Sequence, residues 1–296
     1  MKSGLCLLLL SLMLCSALPP PVLSATLSPP TAPWDSVASV LQTPDVFAGG
    51  YHRYNLPRRD LTVRIGGMNV APELALGAWV GLSGEPEDAT TMGDLVLTTQ
   101  ELAPVLGELA RQQIAVTAIH NHLVGEEPRL VYVHFHGEGR AVDLATRLSR
   151  AIVLTKTPRP VAAPTPQPLA IDTAAVFQGL GRSGKAHGAV AQLSFVLIPG
   201  AVTMHGRTVT PALGYASPIN VQMVGASRAV ATGDFAVTGE KVDDLLQALA
   251  THGIVATALH SHMIGESPTV YFMHFWADGR LPDVVSGLKA ALNATR

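Results

Sequence analysis

One stretch of this chain occurs twice, and this repeat constrains the fold more than any other feature. Residues 93–140 align without a gap with residues 233–280, at a constant offset of 140. Eighteen of the 48 aligned residues are identical, which indicates that one ancestral unit was duplicated. The length of 296 residues is also that of about two domains. We therefore expect the same fold to be formed twice.

The repeated unit has the spacing of a helix, two strands and a second helix. In copy two, apolar residues at Val242, Leu245 and Leu249 recur at helical intervals, and Gly253 ends the helix. Two apolar strands follow, separated by a Gly-Glu-x-Pro turn that favours an antiparallel hairpin. A strand-rich section precedes the unit. The sequence thus predicts an α+β fold of two homologous tandem domains, each a strand-rich section followed by helix–strand–strand–helix.

Composition predicts the domain boundaries. A positive residue, a short apolar run and small residues are typical of a signal peptide, which we place at residues 1–25. Proline-rich segments predict a tether at 26–33 and a linker at 155–170. The two repeat domains are then expected at 34–154 and 171–296.

The predicted signal peptide indicates an extracytoplasmic protein, periplasmic or secreted. Cys6 and Cys15 both lie within it, so the mature chain is expected to have no disulfide and no thiol chemistry. Leu14 stands where a lipoprotein signal needs a small residue, which argues against lipid anchoring. No later stretch has the length and hydropathy of a transmembrane helix. The net charge of -2 gives no reason to expect nucleic acid as a partner. The expected partner, a metal or small-molecule ligand, follows from the histidines of the two copies.

Seven of the eleven histidines fall within the hairpins of the two copies. Each copy has a His-x-His pair and a later histidine on the next strand. The candidate metal ligands are His120, His122 and His134 in copy one, and His260, His262 and His274 in copy two. Residues i and i+2 of a strand share one face. If each hairpin pairs the first histidine with the third, the three imidazoles of that copy could hold one metal ion.

Two kinds of carboxylate accompany these histidines. Glu126 and Glu266 follow the second histidine by four residues, and each is a candidate fourth ligand or a catalytic base beside a metal-bound water. Asp94 and Asp234 occupy equivalent positions, where each either caps a turn or orients a ligand histidine from behind. The order His-x-His, Glu, His is similar to that of the cupin metal site, in motif only.

Three functions remain open at this point. The preferred prediction is an exported protein with a divalent transition-metal site in each repeat. If that site is catalytic, it suits a metal-dependent hydrolase. The ligands suit zinc, iron, copper, nickel or manganese alike. The alternatives are a non-catalytic periplasmic protein that binds a metal or small ligand, and a structural protein with histidines packed in its core. The sequence also leaves open whether the two sites are separate or shared.

The other histidines have no match between the copies. His136 has Trp276 as its counterpart, and we interpret four more as surface or local structure: His52, His187, His205 and His252. Arg58, Arg59 and Asp60 are interpreted as a solvated turn.

The motif H-x-H-x-x-G-E-x-P followed by M-H-F-W-x-D-G resembles a bacterial family of unknown function named after the mycobacterial lipoproteins LppY and LpqO. The residues that match are 233–234, 258–262, 265–268 and 273–276, with 133–136 as the copy-one equivalent of the last. The resemblance covers nearly the whole mature chain. It implies an exported protein of duplicated architecture and assigns no activity. The missing lipid-attachment signal is a departure from that pattern.

Overall fold

The computed structural model of the protein describes Met1 and residues 32–161, 171–187 and 189–296. The predicted signal peptide beyond Met1, most of the predicted tether and residues 162–170 of the predicted linker lie outside this described part. Residues Ala32–Arg296 form one compact unit. None of the helices in the described part is long and apolar enough to cross a bilayer.

The predicted α+β fold is confirmed, and the first half shows its order of elements. The helices of the first half are α1 (Ala32–Leu41), α2 (Pro72–Ala75), α3 (Thr99–Arg111) and α4 (Ala141–Ile152). Its strands are β1 (Asp45–Ala48), β2 (Tyr51–Pro57), β3 (Val63–Ile65), β4 (Met68–Val70), β5 (Gly77–Glu85), β6 (Asp88–Thr98), β7 (Ala115–His120), β8 (Glu126–Glu127) and β9 (Leu130–Gly139).

The second half repeats this order. Its helices are α5 (Thr173–Leu180), α6 (Pro211–Gly214), α7 (Val242–Thr251, after a 3-10 turn at Gly239–Lys241) and α8 (Leu281–Ala294). Its strands are β10 (Lys185–His187), β11 (Val190–Phe195), β12 (Thr203–Met204), β13 (Arg207–Thr208), β14 (Ser217–Met223), β15 (Arg228–Val237), β16 (Val255–His260), β17 (Glu266–Ser267) and β18 (Tyr271–Arg280).

Each half builds one large and one small antiparallel sheet. The large sheets have the strand orders β1-β2-β5-β6-β9-β7 and β10-β11-β14-β15-β18-β16, and the small ones β4-β3-β8 and β13-β12-β17. Long helices cover one face of each large sheet. In the first half Val105, Leu109, Leu144 and Leu148 are fully buried there, in the same core as Phe135. Because side chains alternate along a strand, the histidines lie on the opposite face.

That opposite face is covered by the other half of the chain. Backbone groups around α2 bond to side chains on the second sheet: Gln222 Nε2 donates to Asn69 O at 2.9 Å, and Asn220 Nδ2 donates to Leu74 O at 2.8 Å. In return, Leu213 of α6 packs in a buried cluster with Met92 of the first sheet. Each half therefore needs the other to bury its sheet.

The section before the repeated unit, which the sequence predicts to be rich in strands, also contains a helix. The chain forms the short helix α2 first, and β5 begins only at Gly77. Pro72 stands at the helix start, where its fixed φ and missing N–H are tolerated.

The interpretation of Arg58 as part of a solvated turn is wrong. Arg58 is 0% exposed, and its guanidinium donates to Asp60 at 2.8 and 2.9 Å and to Glu101 at 2.8 and 3.0 Å. Glu101 also accepts the N–H of Thr98 at 2.8 Å and so closes the capping box of α3. Glu101 is 43 residues away in the chain, so local turn composition gave no sign of this ion pair.

We expect Arg58→Ala to lower the free energy of unfolding by about 3–5 kcal/mol, because it leaves the buried Glu101 carboxylate without its cation. Denaturant unfolding measures this. Arg111→Ala is the matched control: Arg111 is two-thirds exposed and pairs with Glu108 on the surface, where an ion pair contributes at most about 1 kcal/mol. Equal losses in the two variants would contradict the structural role of Arg58.

Candidate metal centre

The two His-x-His pairs stand where β7 and β16 end. His120 and His260 are the last residues of these strands, and His122 and His262 lie in the loops that follow. The predicted pairing of first with third histidine is wrong by two residues: His120 lies opposite Tyr132, and Ala118 opposite His134. The second hairpin shows the same offset. A shift of two residues preserves the face, so the imidazoles still project to one side.

The six histidines form one cluster across the interface between the halves. The closest imidazole–imidazole contacts each join one half to the other. Ring centroids are 3.9 Å apart for His120 and His260, 3.7 Å for His134 and His262, and 3.7 Å for His122 and His274. The question that the sequence left open is therefore answered by the geometry: the candidate ligands lie together rather than in two separate groups.

Two buried aspartates border this cluster. Asp94 lies opposite His134 in the β6–β9 pair, and Asp234 opposite His274 in β15–β18. Asp234 Oδ1 is 2.7 Å from His274 Nδ1 and 3.7 Å from His122 Nδ1. Asp94 Oδ2 is 3.8 Å from His122 Nε2 and 3.9 Å from His134 Nε2. We call the six histidines with Asp94 and Asp234 the His–Asp centre.

Several polar atoms of the His–Asp centre are buried without a hydrogen-bond partner. Within the described residues these are Asp94 Oδ1, His120 Nε2, His134 Nε2, His260 Nδ1 and His262 Nε2. Each such atom costs about 1–3 kcal/mol unless something satisfies it. Pairs of donor atoms stand 3.4 to 3.9 Å apart. Donors around a tetrahedral ion with bonds of about 2.1 Å stand about 3.4 Å apart, so the centre has ligand atoms suited to a metal ion.

Three groups of residues within the centre have their ligand atoms within 4.8 Å of one another. They are His120 with His260, His262 and His274; Asp94 with His120 and His122; and His122 with Asp234 and His274. Any two groups share a histidine. A neutral imidazole has one unprotonated nitrogen, so only one of the groups can be fully occupied at a time.

Burial keeps most of these imidazoles neutral, which is the form that binds metal. It lowers the pKa of His260 to about 3. It is also the main cause that lowers the pKa of four others: His120, His134, His262 and His274. His122 differs, because Asp234 and Asp94 outweigh burial and raise its pKa. Burial would likewise raise the pKa of Asp234, but His274 and His122 hold it at about 2.

Glu126 and Glu266 lie outside the three groups. Glu126 Oε1 accepts the N–H of Leu130 at 3.1 Å, and Glu266 Oε1 accepts the N–H of Val270 at 3.1 Å. Both carboxylates thus brace the turn that follows the His-x-His pair. A role as catalytic base stays a prediction for both residues.

One contact that sequence reasoning missed holds the loop of His122. Thr257 of β16 donates its hydroxyl to the backbone oxygen of His122 at 2.7 Å, and Asn121 Nδ2 donates to Thr257 O at 3.0 Å. These residues belong to different halves, so periodicity within one copy could not reveal the contact. The one feature of the sequence that could have pointed to this contact is that Asn121 and Thr257 both lie inside or beside the repeated hairpins.

The fold and the centre define a duplicated α+β protein whose halves share a histidine-rich site. A family model described as "Domain of Unknown Function (DUF1259)" matches residues 35–153 and again residues 173–294. The chain belongs to this family, and the predicted resemblance to a duplicated domain of unknown function is confirmed. The finer name LppY/LpqO stays a prediction. No curated protein and no solved structure matches the chain.

We expect the metal-free protein to lose stability as the pH falls below about 6.5, the ordinary pKa of histidine. Below that pH the unfolded imidazoles bind protons, whereas His260 stays neutral in the folded protein down to about pH 3. Each such histidine contributes a slope of up to about 1.4 kcal/mol per pH unit. The raised pKa of His122 has the opposite effect on stability. It is outweighed by the five histidines whose pKa is lowered.

Denaturant unfolding of the chelator-treated protein at pH 7.5 and 5.5 tests this. The variant His260→Asn should show a weaker dependence on pH. Equal stability at the two pH values would mean that the imidazoles are not held neutral by burial.

Proposed function

We propose that this protein binds one divalent transition-metal ion in the His–Asp centre, with imidazoles from both halves as ligands. The observation that supports this most is the set of buried ring nitrogens that lack a partner and converge across the interface. Histidine and carboxylate ligands suit zinc, iron, copper, nickel and manganese. We also propose that the protein acts outside the cytoplasm, which rests on the predicted signal peptide alone.

Asp234 is proposed to prepare His274 for the ion. Its carboxylate accepts the Nδ1–H of His274 at 2.7 Å, which leaves the unprotonated nitrogen of that ring at Nε2. That atom lies 3.4 Å from Nε2 of His260. A carboxylate behind a ligand histidine fixes the tautomer and increases its basicity. The second half therefore presents lone pairs that are already oriented.

The geometry favours metal binding over hydrolysis. A hydrolase needs a base beside the metal-bound water, and the carboxylates of Glu126 and Glu266 are bonded to their own turns. His274 is 0% exposed, and His134 and His262 are each 7% exposed, so the ion would be held mostly inside the protein. Binding of the ion would also join the two halves.

Metal content of double variants tests whether the centre is shared. We expect His120→Ala/His122→Ala to lose one ion per chain, and His260→Ala/His262→Ala to lose the same ion. Combining the two should cause no further loss, because both remove ligands of one site. Elemental analysis after equilibration with Zn²⁺ measures this, with His187→Ala/His252→Ala as control, since both of its histidines are exposed outside the centre.

Two results would contradict this proposal. If the combined variant lost twice as much zinc as either double variant, each half would have its own site. If it lost none, the histidines would be packed side chains without a metal. Circular dichroism of each variant shows whether it is still folded.

A milder change separates ligand orientation from ligand loss. Asp234→Asn should weaken Zn²⁺ binding about 10- to 100-fold while the number of bound ions stays the same at saturation. The matched control is Glu240→Gln, because Glu240 is exposed at the 3-10 turn. Calorimetric titration with Zn²⁺ measures both affinity and number, and unchanged affinity in Asp234→Asn would remove the orienting role.

A further inference from the structure

A second group of candidate ligands lies away from the His–Asp centre, again at the interface of the halves. His136 and Glu138 come from β9 of the first half, and His205 comes from the turn between β12 and β13 of the second. His136 Nε2 is 3.6 Å from Glu138 Oε1, and His205 Nδ1 is 3.4 Å from the same oxygen. We call these three residues the peripheral triad.

The backbone at His205 is a sign that its side chain is needed. His205 has φ +50°, in the left-handed region that favours glycine. The equivalent turn of the first half lies between β3 and β4, and there Gly66 has φ +55°. The second half therefore has an imidazole side chain at a position where glycine is the less strained residue. Strained side chains of this kind cluster at functional sites.

The burial of His136 also indicates a binding site. His136 is only 6% exposed, and its Nε2 has no hydrogen-bond partner in the described residues. It is aimed at Glu138 and His205, with its ring centroid 5.2 Å from that of His205. A buried ring nitrogen without a partner is costly unless a ligand satisfies it.

At the equivalent positions the second half has different residues. Trp276 stands in the place of His136, and Asp278, in the place of Glu138, is bound by both ends of the Arg228 guanidinium at 2.7 and 2.8 Å. At the peripheral triad, Arg207 of β13 stands 3.6 Å from Oε2 of Glu138 and donates to Asp88 Oδ1 at 2.6 Å. The oxygen Oε1 therefore remains directed at the two histidines.

From these observations we propose that the peripheral triad binds a second divalent transition-metal ion. Two histidines and one carboxylate are a known ligand set for zinc, which leaves a fourth position open. The separations of 3.4 and 3.6 Å match the roughly 3.4 Å between donors around a tetrahedral ion with bonds of about 2.1 Å. The His205 side chain is about half exposed, so the open position faces solvent. The site does not depend on the His–Asp centre, with which it shares no residue.

The variant His205→Gly tests this with little risk to the fold, because it copies Gly66 and relieves the left-handed backbone. We expect it to bind one Zn²⁺ fewer per chain than the wild type in calorimetric titration of the full chain, and Glu138→Gln to do the same. Arg207→Met, which copies Met68 of the first half, should bind this ion more tightly because a nearby cation is removed. His187→Ala is the control outside both sites.

The same titrations in the His120→Ala/His122→Ala background separate this proposal from the function proposed above. Loss of one further ion on adding His205→Gly would support a second site, whether or not the His–Asp centre binds metal. Unchanged zinc number in His205→Gly and Glu138→Gln, in both backgrounds, would overturn it. The triad would then be an ion-pair patch that only joins the halves.

Discussion

The structure depends on burying two polar sheet faces against each other. Each large sheet has an apolar face covered by its own long helices and a second face that carries histidine and aspartate. Burying a polar group is costly unless it has a partner, and the closest imidazole–imidazole contacts of these histidines join one half to the other. The His–Asp centre is therefore a part of the interface itself, and one half alone would expose it.

Segments exchanged between the halves make this burial possible. The region of α2 satisfies its backbone groups with the amide side chains of Asn220 and Gln222, while α6 brings apolar residues onto the first sheet. The two segments occupy equivalent positions but make different contacts. The region of α2 is held by amide hydrogen bonds, whereas α6 is held by apolar packing. Duplication fixed the positions, and divergence changed what holds each side in place. Both exchanged segments precede the repeated hairpins, in the part of the two copies that has diverged most.

Sequence could predict what depends on periodicity within one copy. Helical spacing located α3 and α7, and alternation along a strand placed His120 and its partners on one face. It could not predict the register, because the strand stops at His120 and the next residues form the loop that leads to β8. It could not predict contacts between the copies either, since a repeat says that two units are alike but not how they meet. Arg58 was misjudged for this reason, because its partner Glu101 is 43 residues away. The contact of His205 with Glu138, 67 residues away, was equally beyond the reach of local patterns.

The remaining asymmetry bears on where an ion would sit. The copies place the same residues at the centre, yet Asp234 is hydrogen-bonded to His274 at 2.7 Å whereas Asp94 stays 3.9 Å from His134. His134 uses its Nδ1 on the backbone oxygen of Gly93 instead, at 3.1 Å. A histidine held by a carboxylate is the more basic ligand, so the second half offers the better-prepared nitrogen. Three of the four residues in the all-histidine group come from that half, and His120 reaches across to complete it. The duplicated residues would then form a single asymmetric site, in which the second half supplies three ligands and His120 of the first half supplies the fourth.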